Sequence, residues 1–110
     1  MDLLEYQRPM RGYLGIYADD IGSPQVREYY NYQEDGGVLV HEVADGSPAA
    51  KAGVQQEDII IEFDQSPITG GADLMTLIQK SAIGKEVEII VWRENKRETL
   101  NAKISQVDVG

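Results

Sequence analysis

Leu14, Ile16 and Ala18 interleave with Gly15 and Tyr17, the period of a half-buried strand over residues 14–18. The run is flawed as strand material. Gly12 and Gly15 flank Tyr13-Leu14, and glycine in a strand costs entropy and packs nothing. Next, Ser23 and Pro24 form a helix start signal, with Val26, Tyr29 and Tyr30 at i, i+3 and i+4, which predicts a short amphipathic helix over 24–31. "VLVHEV" (38–43) reads as a strand. Ser47, Pro48 and Gly53 cap, open and close a turn or two of helix. "DIIIEFD" (58–64), with three consecutive isoleucines, predicts a strand buried on both faces. Leu74, Leu77 and Ile78 make one apolar stripe on a helix over 71–81, ended by Gly84. "EVEIIVW" (86–92) and "ETLNAKI" (98–104) alternate as strands, and "RENKR" between them reads as a hairpin turn, with Asn95 best able to take a positive φ.

Residues 1–10 show no sustained period and contain Pro9, so they read as a lead-in. The domain itself is expected over 11–105, with a short tail over 106–110. The order β-α-β-α-β-α-β-β, without internal repeats, predicts an α+β domain. Its form would be a small sandwich or partial barrel of five to six strands capped by two to three helices.

Composition narrows the function class. The 110 residues carry 19 acidic and 10 basic side chains, a net charge of −9. Such a surface repels polyanions, which disfavours nucleic acid and anionic membrane surfaces as partners. No apolar run approaches the roughly 18 residues of a membrane span. There is no cysteine, which excludes disulfides, cysteine catalysis and thiolate metal sites.

Catalytic chemistry finds little support. His41 is the only histidine and lies inside a strand pattern, while the serines sit mostly at caps and turns, none in a G-x-S-x-G elbow. Asp19-Asp20, Glu34-Asp35 and Glu57-Asp58 lack the alternating ligand spacing of a calcium loop, so they read as solvated loops and no metal is expected. No phosphate-binding G-x-x-x-x-G-K-[ST] is present, and no cofactor is expected. A single small anion is another matter. Two glycines around a turn can aim successive backbone N–H groups into one concavity, and Arg8 and Arg11 lie just upstream of "GYLG".

The blocks "RGYLGI" (11–16), "GGVLVHEVADGSPAAKAGVQQEDIIIEFDQSPI" (36–68), "ADLMTLIQ" (72–79) and "GKEVEIIVWRENKRETL" (84–100) together resemble a PDZ domain of the bacterial type found in HtrA/Deg-like serine proteases. Most specific is "GSPAAKAG" followed by "EDIIIEF", which is similar to the family's G-S-P-A-x-x-A-G-L-x-x-G-D-x-I. Two turns depart from the pattern. Glu57 replaces a usual glycine, and Asp64-Gln65 replaces Asn-Gly, which puts local turn geometry in question.

The resemblance implies a non-catalytic module that captures protein C-termini or extended segments by β-strand addition. Tyr13, Leu14, Gly15 and Ile16 would form the carboxylate-binding loop, using the amides of Leu14, Gly15 and Ile16. Ile16, Tyr17 and Ala18 would be the docking strand. Gly71, Met75 and Ile78 would face the groove from the helix, with Leu74 in the core. Many PDZ domains carry histidine where Gly71 stands, so an apolar last ligand residue is expected, with weak selection two residues upstream. Arg11, Asp19 and Asp20 are electrostatic candidates, the two aspartates favouring basic residues further upstream in the ligand. The parent would be a periplasmic or otherwise extracytoplasmic protease in which the domain senses or delivers C-termini. The competing reading is a scaffold or assembly module of an envelope or secretion protein. Homo-oligomerisation through the parent stays open.

Overall fold

The computed structural model of the chain describes residues 12–106, so Arg11, the lead-in and residues 107–110 lie outside the described residues. The strands are β1 (Gly12–Tyr13), β2 (Ile16–Asp20), β3 (Val38–Val43), β4 (Ile59–Phe63), β5 (Ser66–Pro67), β6 (Glu86–Arg93), β7 (Lys96–Lys103) and β8 (Ser105–Gln106). Three helices stand between them, α1 (Pro24–Tyr29), α2 (Pro48–Ala52) and α3 (Gly71–Lys80). The expected α+β class holds. The larger sheet runs β2-β3-β4-β6-β7 with β5 beside β4, and β1 pairs with β8 in a second, two-stranded sheet. Every pairing is antiparallel.

Alternation along the strands separates two cores. Ile60, Val38, Val40, Phe63, Ile89 and Val91 join Leu14, Leu74 and Ile78 on one face. Ile59 and Ile61 join Ile21 and Tyr32 on the other, with Leu39, Ile90 and Trp92 packed around them. The three isoleucines thus serve both faces, as their uninterrupted run predicts.

Several boundaries move for identifiable reasons. The strand expected over 14–18 is a turn at Leu14-Gly15 followed by β2 from Ile16 to Asp20. Gly15 takes φ +91°, and the Leu14 carbonyl accepts from the Ala49 N–H of α2 at 2.9 Å instead of joining a ladder. α1 ends at Tyr29 rather than 31, because Asn31 turns to φ 53°. Tyr29 is exposed, so only Val26 and Tyr30 of its expected stripe pack inward, against the second core. That places α1 on the sheet face away from α3. The β6–β7 turn is tighter than "RENKR", with Glu94 and Asn95 both at positive φ, the geometry of a two-residue hairpin loop.

β5 was not anticipated. Asp64 and Gln65 take φ 53° and 72° and fold Ser66–Pro67 back on β4. Glu57 likewise takes φ 74°. These departures from the family pattern preserve turns with positive φ, at conformations L-residues adopt reluctantly.

Candidate functional site

Among the described residues β2 ends the five-strand path of the larger sheet: one of its edges pairs with β3, and no strand of these residues pairs with the other. α3 lies against β1 and β2, and the space between β2 and α3 is the groove in question. At its head stands the Tyr13–Ile16 turn. Two carbonyls there face into the domain: Leu14 C=O accepts from Ala49 N–H and Gly15 C=O accepts from Ala44 N–H beyond β3, each at 2.9 Å. In a trans peptide unit the carbonyl and the following N–H point in opposite directions. The N–H groups of Gly15 and Ile16 therefore point outward, away from α2 and β3. By the same alternation, Ile16 and Ala18 turn their backbone groups to the open edge, and Tyr17 turns its own to β3.

Glycine is required at both loop positions for packing reasons that local pattern does not reveal. Gly15 carries a positive φ, and a Cβ there would overlap Ser47 Cβ and stand 2.7 Å from its Oγ. A Cβ on Gly12 would overlap the Ile78 carbonyl at the end of α3 and meet Ile104 Cγ2 at 2.9 Å. Close approach of the loop to α2 and α3, rather than room for a ligand, is what the two glycines first provide. Ser47 is a buried cap, its Oγ accepting from Ala50 N–H at 3.1 Å.

The side chains of Ile16 and Ala18 lie partly buried against the main core, while Tyr17 and Asp19 point outward and are exposed. On α3, Leu74 and Ile78 are both buried in the main core. Met75 is 51% exposed on the same helix. Gly71 opens α3, and its N–H donates to the Asp20 carboxylate at the end of β2. Asp19 instead faces His41 of β3, Nε2 to Oδ2 at 2.8 Å, both exposed. The two aspartates are thus both engaged, in different ways.

One acidic residue departs from its expected place. Asp58, expected in a solvated loop, is 2% exposed. Its carboxylate accepts from Arg93 Nε at 2.8 Å and Nη2 at 2.6 Å, and from Gln55 N–H at 2.8 Å. The same guanidinium donates to the Gly53 carbonyl at 2.8 Å. These hydrogen bonds to Asp58 hold the Arg93 guanidinium above its ordinary pKa, and tie the end of α2 to the end of β6. In the sequence, Asp58 stands at the aspartate of the family's G-D-x-I and directly before an all-apolar strand start. Among the described residues no three His, Asp or Glu side chains come together to hold a metal. An open cavity of about 410 Å³, lined in part by His41, Glu42, Asp45 and Gln55, lies between β3 and α2, and none of the expected site residues lines it.

An antiparallel sheet with an open edge strand, a glycine turn at its head and a helix across from it defines a peptide-groove module. The PDZ domain profile matches residues 12–104, and the chain belongs to the PDZ domain family. Within it, the likeness is to HtrA-type proteins. The chain is 37% identical over 116 aligned residues to the Serine protease Do-like HtrA of Bacillus subtilis, covering 96% of this chain and 25% of that protein. It is 31% identical to the Serine endoprotease DegS of Escherichia coli, covering 94% of this chain and 29% of that one. Among solved structures, the HtrA-type protease AlgW with tripeptide superposes with a TM-score of 0.84 at 24% identity, over 98% of this chain and 36% of that one. The HtrA3 PDZ domain bound to a phage-derived ligand superposes with a TM-score of 0.74 at 24% identity, over 90% of this chain and 89% of that one. The chain spans only 18% to 29% of the length of the curated proteases it matches. It corresponds to their non-catalytic PDZ module. No helix among the described residues is long and apolar enough to cross a membrane.

Proposed function

We propose that this module captures the C-terminal carboxylate of a partner protein at the Tyr13–Ile16 turn and aligns the preceding residues as an added strand on β2. The observation that carries this reading is the outward direction of the Gly15 and Ile16 N–H groups, enforced by the carbonyl bonds from Leu14 to Ala49 and from Gly15 to Ala44. Two such donors, with Leu14 N–H as a third, each contribute on the order of 1.5–3 kcal/mol to a carboxylate before ordering costs. With one apolar side chain over Ile16 and Ile78 and beside Met75, the result is roughly micromolar, reversible binding. Main-chain pairing along Ile16, Tyr17 and Ala18 supplies affinity, and Gly71 offers no side chain to select the residue two before the end.

Solved structures of the HtrA-type protease AlgW with a tripeptide or a decapeptide support a ligand of this class. Others named as periplasmic serine endoproteases support an extracytoplasmic parent in which the module recognises substrates or signals. The test is a calorimetric titration of a free-acid peptide ending in valine, isoleucine, leucine or phenylalanine against its amidated copy. The free acid binds at least tenfold more tightly if the loop holds a carboxylate. Equal affinity for both forms refutes the reading.

A further inference from the structure

We propose that Asp20 is a latch across the distal end of the groove, which confines a bound chain to its last three or four residues unless the latch opens. The inference rests on the C-terminal capture described above and adds the length selectivity of that site. Asp20 is the last residue of the open edge strand, and its carboxylate accepts the N–H of Gly71, the first residue of α3. The two walls of the groove are therefore joined at this point by one side chain. A strand added to β2 needs about 4.8 Å of free width beside it. Here a Cβ placed on Gly70 would lie only 3.1 Å from Asp20 Oδ1 and 3.3 Å from Oδ2, and one on Gly71 3.2 Å from Oδ1. The Asp20 carboxylate thus fills the space between the end of β2 and the start of α3.

The register follows from the strand. With the terminal carboxylate at the Leu14-Gly15 turn and antiparallel pairing, the last ligand residue lies beside Ile16. The third from last lies beside Ala18, and the fifth from last beside Asp20. The last residue and the third from last pair along the open edge, and the fifth from last meets Asp20.

The latch also has a reason to stay shut. The N-cap of α3 is Gly70, which provides no capping side chain, so Asp20 satisfies one of the orphan N–H groups of that helix end from another element. Opening it exposes that donor. Thr69 and Asp73 hold the start of α3 independently, Asp73 Oδ2 accepting from Thr69 N–H at 3.1 Å and Oγ1 at 3.3 Å. Losing the latch therefore need not unravel the helix.

The experiment compares two acetylated free acids on this 110-residue chain, the tripeptide Gly-Ala-Val and the heptapeptide Ser-Gly-Ser-Ala-Gly-Ala-Val, with the amidated tripeptide as a third ligand. In the unaltered chain the heptapeptide binds within about twofold of the tripeptide. Asp20→Ala raises the heptapeptide-to-tripeptide affinity ratio about five- to tenfold. Gly71→Pro does the same from the other wall, since proline at the first helical position removes the N–H and keeps the helix. A ratio that both variants leave within twofold overturns the latch, as does a tenfold advantage of the heptapeptide in the unaltered chain. Should either variant fail to fold, the unaltered chain still decides by NMR. A Gly71 amide that exchanges as fast as an open-chain amide overturns the latch, and a protected one upholds it. If the amidated tripeptide matches the free acid, it is the carboxylate reading that fails. If the free acid wins while the ratio stays flat, the latch alone fails.

Discussion

Gly15→Ala separates two explanations of the loop glycine. If Gly15 serves only to let a ligand approach bare backbone, alanine harms binding and leaves stability nearly intact. The structure says otherwise. At φ +91° an L-residue is disfavoured by roughly 1–2 kcal/mol. The new methyl overlaps Ser47 Cβ and stands 2.7 Å from its Oγ, and Ser47 is a buried cap with no room to withdraw. Overpacking of this kind costs about 1–3 kcal/mol. The sum is about 3 kcal/mol, or a Tm lowered by about 13 °C, given roughly 2.1 cal/mol/K of unfolding entropy per residue at this length. The assay is urea unfolding followed by tryptophan fluorescence, in the native background and in Ser47→Gly. Glycine is itself an acceptable N-cap, so that background loses only a few tenths of a kcal/mol while removing the overlapped atoms. There Gly15→Ala should cost only its conformational part, about 1–2 kcal/mol. The same loss in both backgrounds, or a loss under about 1 kcal/mol in the native one, would refute the packing explanation.

Asp58→Ala leaves Arg93 without its buried partner and is expected to cost about 3 kcal/mol. The Asp58→Ala, Arg93→Ala double variant should lose at least about 1 kcal/mol less than the sum of the single ones, and strict additivity in urea melts would contradict the pair's importance. Glu57→Gly relieves a left-handed residue at φ 74°, giving up only an exposed 3.3 Å hydrogen bond from Tyr30 Oη. Its unfolding free energy should rise by about 1 kcal/mol, and an unchanged or lower Tm by calorimetry would count against it. Hydrogen bonds from Arg97 hold the Glu34 carboxyl below the ordinary carboxylate range. The unfolded chain then binds that proton more tightly than the folded one. The contribution is therefore full above an unfolded value of about 4.3 and vanishes as pH falls through the depressed folded value. Urea midpoints should drop less steeply between about pH 5 and pH 3 in Glu34→Gln, and identical slopes would dismiss this linkage.

The elements of this fold were largely legible because they rest on short-range rules. Ser23 and Ser47 each cap a helix that opens with proline, and a cap bonds only three residues away. The strand periods of residues 38–43 and 86–92 reach the structure almost unchanged. What escaped were features local pattern contradicts or does not encode. Glu57, Asp64 and Gln65 hold positive φ without being glycine, so only the family pattern marks their turns, and nothing in the local pattern shows Ser66–Pro67 folding back as β5. Asp58 reads as a loop acid until Arg93 arrives.

By itself, then, the sequence determined the order of strands and helices, the two-faced isoleucine strand and the position of a glycine turn ahead of an edge strand. Tertiary structure decided what those pieces do to one another. Ser47 makes glycine obligatory at position 15. Arg93 neutralises Asp58 from 35 residues away, and Asp20 meets Gly71 across 51 residues. The physical reason is range: periodicity and capping act within a turn or two of chain, whereas a hydrogen bond across a groove exists only once both walls have been brought to it.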